Sequence, residues 1–191
     1  IRSDVTATVD FLPVTIDRTF DPDAWGGGLV CLGTMMVYGT IKTPFVRLAL
    51  PAKAGDTVLL LAPPGVSGWK TADLLYLPNS HQVPPNTQPF VHQRDHISIK
   101  LMSSDGLTAT LSAPLLFDHP GCKNRAGEIK ILPHVVNLTR NVLFRANHDQ
   151  AHVIFHHMAQ LDLNNAIFYH LGRTLNGPIT VANSKARYPL H

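Results

Sequence analysis

Charge is scarce in this sequence. Only 15% of its 191 residues are Asp, Glu, Lys or Arg, and the formal net charge is +3 with histidine neutral. The basic residues are scattered rather than clustered, which argues against a nucleic-acid surface. Cysteine is scarcer still. Cys31 and Cys122 allow at most one internal disulfide, and neither lies in a Cys-x-x-Cys or Cys/His zinc pattern. No stretch approaches the roughly 18 to 20 apolar residues that a membrane-spanning helix needs. What is plentiful is 15 Pro, 13 Gly and many β-branched residues, a mixture that favours strands and turns over helices. Histidine is also abundant, with 11 residues, and makes the net charge responsive to mild acid. The chain begins at Ile1 with no leader-like segment, so the expectation is an internal piece or a processed chain.

The order of the turns suggests stacked short strands. Val5, Thr6, Thr8, Val9 and Val14 to Ile16 are extended in character, with Pro13 interrupting. Asp21-Pro22-Asp23 marks a turn, and Gly26-Gly27-Gly28 admits conformations that other residues avoid. Leu29 to Leu32 and Met35 to Tyr38 are short apolar strands with Gly33 and Gly39 at their corners. The texture then changes. Val58 to Leu61 follows the turn Gly55-Asp56-Thr57, and residues 79–89 read as a proline-rich exposed loop. Ile97, Ile99 and Leu101 alternate with polar neighbours, Asp105-Gly106 supplies a turn, and Leu107 to Leu111 returns as a hairpin. A compact β-barrel-like insert is the simplest account. From Ile129 onward a repeat appears, in which Asn141, Leu143 and Phe144 match Asn165, Ile167 and Phe168 at an offset of 24 residues. One coil of a parallel β-helix has that length, although two unrelated sandwich strands remain an alternative. Asn137-Leu138-Thr139 fits a glycosylation acceptor but falls inside a strand-like run.

Five motifs in order carry a resemblance. Asp21-Pro22, Gly27-Gly28-Leu29, Val37-Tyr38-Gly39 and Lys42-Thr43-Pro44-Phe45 look like the closing half of an eight-glycine domain. Gly68-Trp69-Lys70 with Asp73 resembles a Gly-Trp-x-x-Gly-Asp turn, and Leu138-Thr139-Arg140-Asn141-Val142 resembles a Leu-x-Arg-Asn-Val strand. Leu171-Gly172-Arg173-Thr174 and Arg187-Tyr188-Pro189-Leu190-His191 resemble the segment ending in Arg-Tyr-Pro-(Ile/Leu)-His-Phe-His. The chain thus resembles the eight-glycine, right-handed parallel β-helix family, which includes hyaluronan-binding proteins, cell-surface hyaluronidases, fibrocystins and bacterial relatives. The resemblance implies an all-β chain, an internal fragment of a larger protein. Residues 1–50 would close an eight-glycine-like domain, 51–128 would form the barrel-like insert, and 129–191 would be the first coils of the β-helix. It also implies a secreted or cell-surface protein that binds, and as a hydrolase or lyase depolymerises, an acidic polysaccharide of the hyaluronan type. The competing reading is a non-catalytic adhesion or filament module. Ala72 departs from the pattern at the turn glycine, so that turn either avoids a positive φ or carries strain. Further coils are expected after His191, or a partner that covers the open end.

Histidine clusters late, at His134, His148, His152, His156, His157, His170 and His191. On a strand over residues 151–157, His152 and His156 share a face, and His191 would fall on the next coil. Three imidazoles there could hold a divalent metal ion, and His152, His156 or His191 beside Asp162 could transfer protons. The competing view is that these histidines only hydrogen-bond on a sheet surface. Arg140, Arg173 and Arg187 are the candidate contacts for an acidic sugar. Trp25, Trp69 and Tyr76 could stack on sugar rings, though packing suits Trp69 better. Ser67 lacks a full nucleophile elbow, and the three consecutive glycines lack the Lys-Ser/Thr of a phosphate loop.

Overall fold

Short aliphatic and β-branched runs, cut by glycine and proline, form strands throughout, and no helix occurs among the described residues. The structure, a computed structural model, describes residues 5–81, 91–147, 151–172, 178, 180, 189 and 190. In chain order the strands are β1 (Ala7–Phe11), β2 (Leu29–Cys31), β3 (Thr34–Tyr38), β4 (Phe45–Arg47) and β5 (Val58–Leu60). They continue with β6 (Leu74–Leu77), β7 (Asp95–Met102), β8 (Thr108–Leu111), β9 (Cys122–Lys123) and β10 (Ile129–Ile131). The last are β11 (His134–Asn137), β12 (Val142–Ala146), β13 (Val153–Phe155), β14 (Gln160–Asn164) and β15 (Ala166–Tyr169). Two compact units result, one joining Ile1–Thr40 to Arg140–His191 and the other spanning Ile41–Thr139.

The first unit is built from parallel pairs. β1, β12 and β15 form one sheet, β2 pairs with β13, and β3 pairs with β14. Leu143 lies opposite Ile167 and Phe144 opposite Phe168, so the 24-residue repeat in the sequence is the register of a parallel pair. Phe144 and Phe168 stack with centroids 4.8 Å apart, beside Val142, Ala146, Ala151, Val153 and Leu171. Asn141 fixes the corner before β12: its Oδ1 accepts from Thr40 N at 2.7 Å, and its Nδ2 donates to the Val5 carbonyl at 2.9 Å. Gly39 sits in the same corner, where any Cβ would run into the Asn165 carbonyl. Glycine is required there by proximity, not by its own φ.

The second unit is an antiparallel six-stranded sheet in the order β4-β11-β6-β7-β8-β5. It curls until its edge strands meet: Leu48 bridges Leu61, and Ala49 N and Ala62 N bond the Leu60 and Arg47 carbonyls at 2.8 Å each. Inside the curl lie Leu48, Leu59, Leu61, Leu75, Leu77, Ile99, Leu111 and Val135. Burying each such side chain contributes about 1.5 to 3 kcal/mol. Trp69 joins this core and donates Nε1–H to the Thr43 carbonyl at 2.6 Å, so it packs rather than stacks on a ligand. The hairpin forms as the alternation implies, from β7 and β8 around Asp105-Gly106. Ser103 Oγ donates to Asp105 Oδ1 at 2.6 Å and Leu107 N donates at 2.9 Å; these bonds hold the Asp105 carboxyl below its ordinary range.

Two buried polar clusters lock this second unit. Asp73 Oδ2 accepts from Lys42 Nζ at 2.8 Å, Asn137 Nδ2 at 2.7 Å and Lys70 N at 3.2 Å. Asn137 is fully buried on β11, so the glycosylation triplet is a structural element with no access for a glycan. Asp95 accepts from the Leu116 and Phe117 amides and faces His119 Nε2 at 2.9 Å, while His119 Nδ1 donates to the Pro78 carbonyl at 3.1 Å. Ala72 adopts φ +69°, which resolves the question raised by its missing glycine in favour of strain. Cys31 and Cys122 are not joined in a disulfide.

Candidate functional site

The strand at this histidine run is short, with β13 covering Val153–Phe155, and its start is not open. His152 and Ile154 are both buried, His152 completely. His152 lies opposite Gly28, and its ring crosses that glycine so closely that an added Cβ would stand 2.5 Å from two imidazole atoms. The turn leading there is clamped by Asp21, which accepts from Trp25 N at 2.8 Å and Gly26 N at 2.7 Å. His156, just after β13, is exposed. Its ring is 5.5 Å from Trp25 and 4.3 Å from His157. His152 and His156 therefore have different surroundings, one walled in and one exposed.

The other predicted residues are dispersed. Asp162 is exposed on β14, where Tyr38 Oη donates a short hydrogen bond to its Oδ2 and Asn164 Nδ2 donates to Oδ1 at 2.7 Å. That bond to Asp162 raises the Tyr38 pKa above its ordinary 10.0. Arg140 is half-buried just before β12. His191, Arg173 and Arg187 lie outside the described residues. Among the described residues no three His, Cys, Asp or Glu side chains gather into a metal-holding group.

A different cluster is brought together on the outer face of β1-β12-β15. Phe144 and Phe168 point into the core, so the strand alternation sends the next residues, Arg145 and Tyr169, outward. Lateral pairing aligns Asp10 with Arg145 and Arg145 with Tyr169 in one row. Arg145 Nε donates to Asp10 Oδ1 at 2.6 Å, a bond that raises the arginine pKa and keeps it charged. His170 then breaks the alternation. With φ +53° it turns back toward Tyr169, and the two rings stack 4.3 Å apart at 19°. A β-carbon residue in that left-handed region costs about 1 kcal/mol. Asp10, Arg145, Ala146, Asn147, Tyr169 and His170 line an open cavity of about 470 Å³.

The chemistry of that row is specific. Arg145 spends Nε on Asp10, which orients the planar guanidinium and leaves its terminal amino groups for a bidentate anion. The Tyr169–His170 stack is a flat wall with an apolar face, suited to the C–H face of a pyranose ring. Asp10 and Asn147 add acceptor and donor capacity for hydroxyls. Sequence reading named His170 among the late histidines and missed the other residues. The repeat held the signal for Arg145 and Tyr169, which occupy equivalent positions in its two copies, immediately after the matched phenylalanines.

No protein-family model matches the chain, and no curated protein matches it. Among solved structures it is similar to the tailspike Gp54 of Acinetobacter baumannii bacteriophage AP22, solved with A. baumannii capsular saccharide. The identity is 13% over 85% of this chain and 24% of the tailspike, with a TM-score of 0.39. It is also similar to the tailspike gp49 of Pseudomonas phage LKA1, at 9% identity over 73% of this chain and 26% of that one, TM-score 0.37. The tailspike gp61 of Pseudomonas phage phi297 matches at 14% identity over 81% of this chain and 21% of that one, TM-score 0.36. The chain spans about a quarter of the length of these proteins.

Proposed function

We propose that this chain binds an acidic polysaccharide on the outer face of β1-β12-β15, within the opening coils of a right-handed parallel β-helix. The observation that carries the binding reading is the Asp10–Arg145–Tyr169 row with His170 against Tyr169, which combines an oriented cation with an aromatic wall in one open cavity. The parallel pairings support the β-helix, since each of three strand positions recurs beside its successor and the offset is constant along β12-β15. Right-handed crossovers are the rule for parallel strands joined within one sheet. Ile41–Thr139 is then a barrel-like insert between coils. A secreted or cell-surface setting follows from a ligand of this kind, and the hyaluronan type is one candidate among uronate polymers.

Calorimetric titration of the chain with defined acidic oligosaccharides tests the reading. Saturable binding is expected, weakened at least tenfold by Arg145→Ala, which removes a charge-assisted contact of about 1.5 to 3 kcal/mol. The unfolding midpoint should not move, because the Asp10–Arg145 pair is exposed. Binding that survives Arg145→Ala and Tyr169→Ala undiminished would remove the cavity from consideration.

A further inference from the structure

We propose that the same cavity cleaves its polysaccharide by β-elimination at a 4-linked glucuronate, with Tyr169 as general acid and His170 as general base; this rests on the binding reading above. The four groups that such a reaction needs are lining residues of one cavity. An Arg145 guanidinium and the Asn147 side-chain amide are available to the sugar carboxylate, and an imidazole and a phenol stand beside them. Asp10 is a positioning residue, holding Arg145 through Nε so that the remaining amino groups keep a fixed direction.

The need for each group follows from the bond changes. The proton on C5 is too weakly acidic to remove while the adjacent carboxylate keeps its full negative charge in water. Binding that carboxylate to a guanidinium and an amide stabilises the enolate that forms as the proton leaves. Neutral His170 takes the C5 proton, and the electron pair of that C–H bond becomes the C4=C5 double bond. The C4–O4 bond breaks, and O4 departs with the proton of the Tyr169 hydroxyl. The products are a chain with a new hydroxyl end and a chain with a 4,5-unsaturated uronate. The imidazolium and tyrosinate left behind recover the starting state by moving one proton from His170 to Tyr169. Atoms and electrons balance without water, metal or any redox partner.

The stack also sets the stereochemistry. Tyr169 and His170 stack face to face, with ring centroids 4.3 Å apart and planes within 19° of parallel, and both line the same cavity. Base and acid on one side of the sugar can serve only an elimination in which H5 and O4 leave from that side. In the gluco configuration they do; in the galacto configuration O4 is on the opposite side. The strained φ of His170 has a reason in this reading, since an ordinary strand would have sent its ring to the other face of the sheet.

The test uses the full chain and two polymers, glucuronan and polygalacturonate, and follows the ultraviolet absorbance of the unsaturated uronate. Absorbance is expected to grow with glucuronan alone. Tyr169→Phe keeps the aromatic wall, and His170→Asn keeps a residue that accepts a positive φ, so both variants should fold. Circular dichroism checks that they do. Each should lower the rate at least 100-fold while glucuronan still binds, the loss typical of removing a proton-transfer group. Chain shortening without the chromophore, or undiminished rates in either variant, would overturn the elimination. Wild-type binding with no cleavage would also overturn it while leaving the binding reading intact, and absence of binding to any uronate polymer would remove both.

Discussion

The two units place their main polar pairs differently, although the parallel unit also buries His152 and the antiparallel unit also exposes a Lys130–Glu128 pair. The curled antiparallel unit buries Lys42, Asp73, Asn137, Asp95 and His119, and gives each a partner inside the fold. The parallel unit instead displays charged and phenolic groups at its surface, in the Asp10–Arg145 and Tyr38–Asp162 pairs. Buried pairs specify a structure and are costly to break; exposed pairs add little stability and remain available to a ligand. The contrast separates a unit whose polar chemistry is consumed by folding from one whose polar chemistry is left over.

The sharpest way to break the contrast is at Asp73. Asp73→Ala strands the Lys42 ammonium in the interior and should cost about 3 to 5 kcal/mol, read from urea unfolding. A loss under 1 kcal/mol would show that water reaches the cluster. Next in size is Gly28→Ala in the parallel unit. The imidazole of His152 must move to admit the methyl group, and since that ring is fully buried the cost should be about 1 to 3 kcal/mol by thermal melt. An unchanged melt would mean that the His152 pocket is soft. Ala72→Gly should act in the other direction, relieving the left-handed backbone in the curled unit. The gain is about 0.5 kcal/mol after the greater freedom of glycine in the unfolded chain is counted.

The smallest effect concerns pH. Tyr38 holds its proton more tightly when folded, because a phenolate facing Asp162 would lose the hydrogen bond and repel the carboxylate. The bond therefore contributes at any pH below the unfolded tyrosine value of 10.0 and is lost as pH rises through the higher folded value. Ultraviolet titration should show one tyrosine ionising late, and Asp162→Asn should bring it back toward the others. Tyrosines that all titrate together would contradict the pairing.

Much of the fold was legible wherever the signal was local. The β7-β8 hairpin showed itself because a period of two and an Asp-Gly turn sit within one stretch, and β2 and β3 because glycines bracket short apolar runs. The β12-β15 pairing was legible because its two strands share a pattern. The face of β13 was only half legible. Parity placed His152, Ile154 and His156 together, but nothing nearby in sequence announced that Gly28 would meet the ring of His152. The Asp10 end of the cavity row was illegible for a related reason. Asp10 and Arg145 lie far apart in the chain and become neighbours only through lateral pairing, which leaves no periodic trace.

The corner at Asn141 carries a consequence for the order in which the molecule is made. Thr40 hands its amide to a residue that a ribosome delivers only after the whole of Ile41–Thr139. Until then β1, β2 and β3 lack the strands they pair with among the described residues, β12, β13 and β14, all of which lie beyond residue 140. The intervening unit contains all its own strand pairings and can close first. Vectorial synthesis would thus leave β1, β2 and β3 waiting for β12, β13 and β14 while a later segment finishes folding ahead of them.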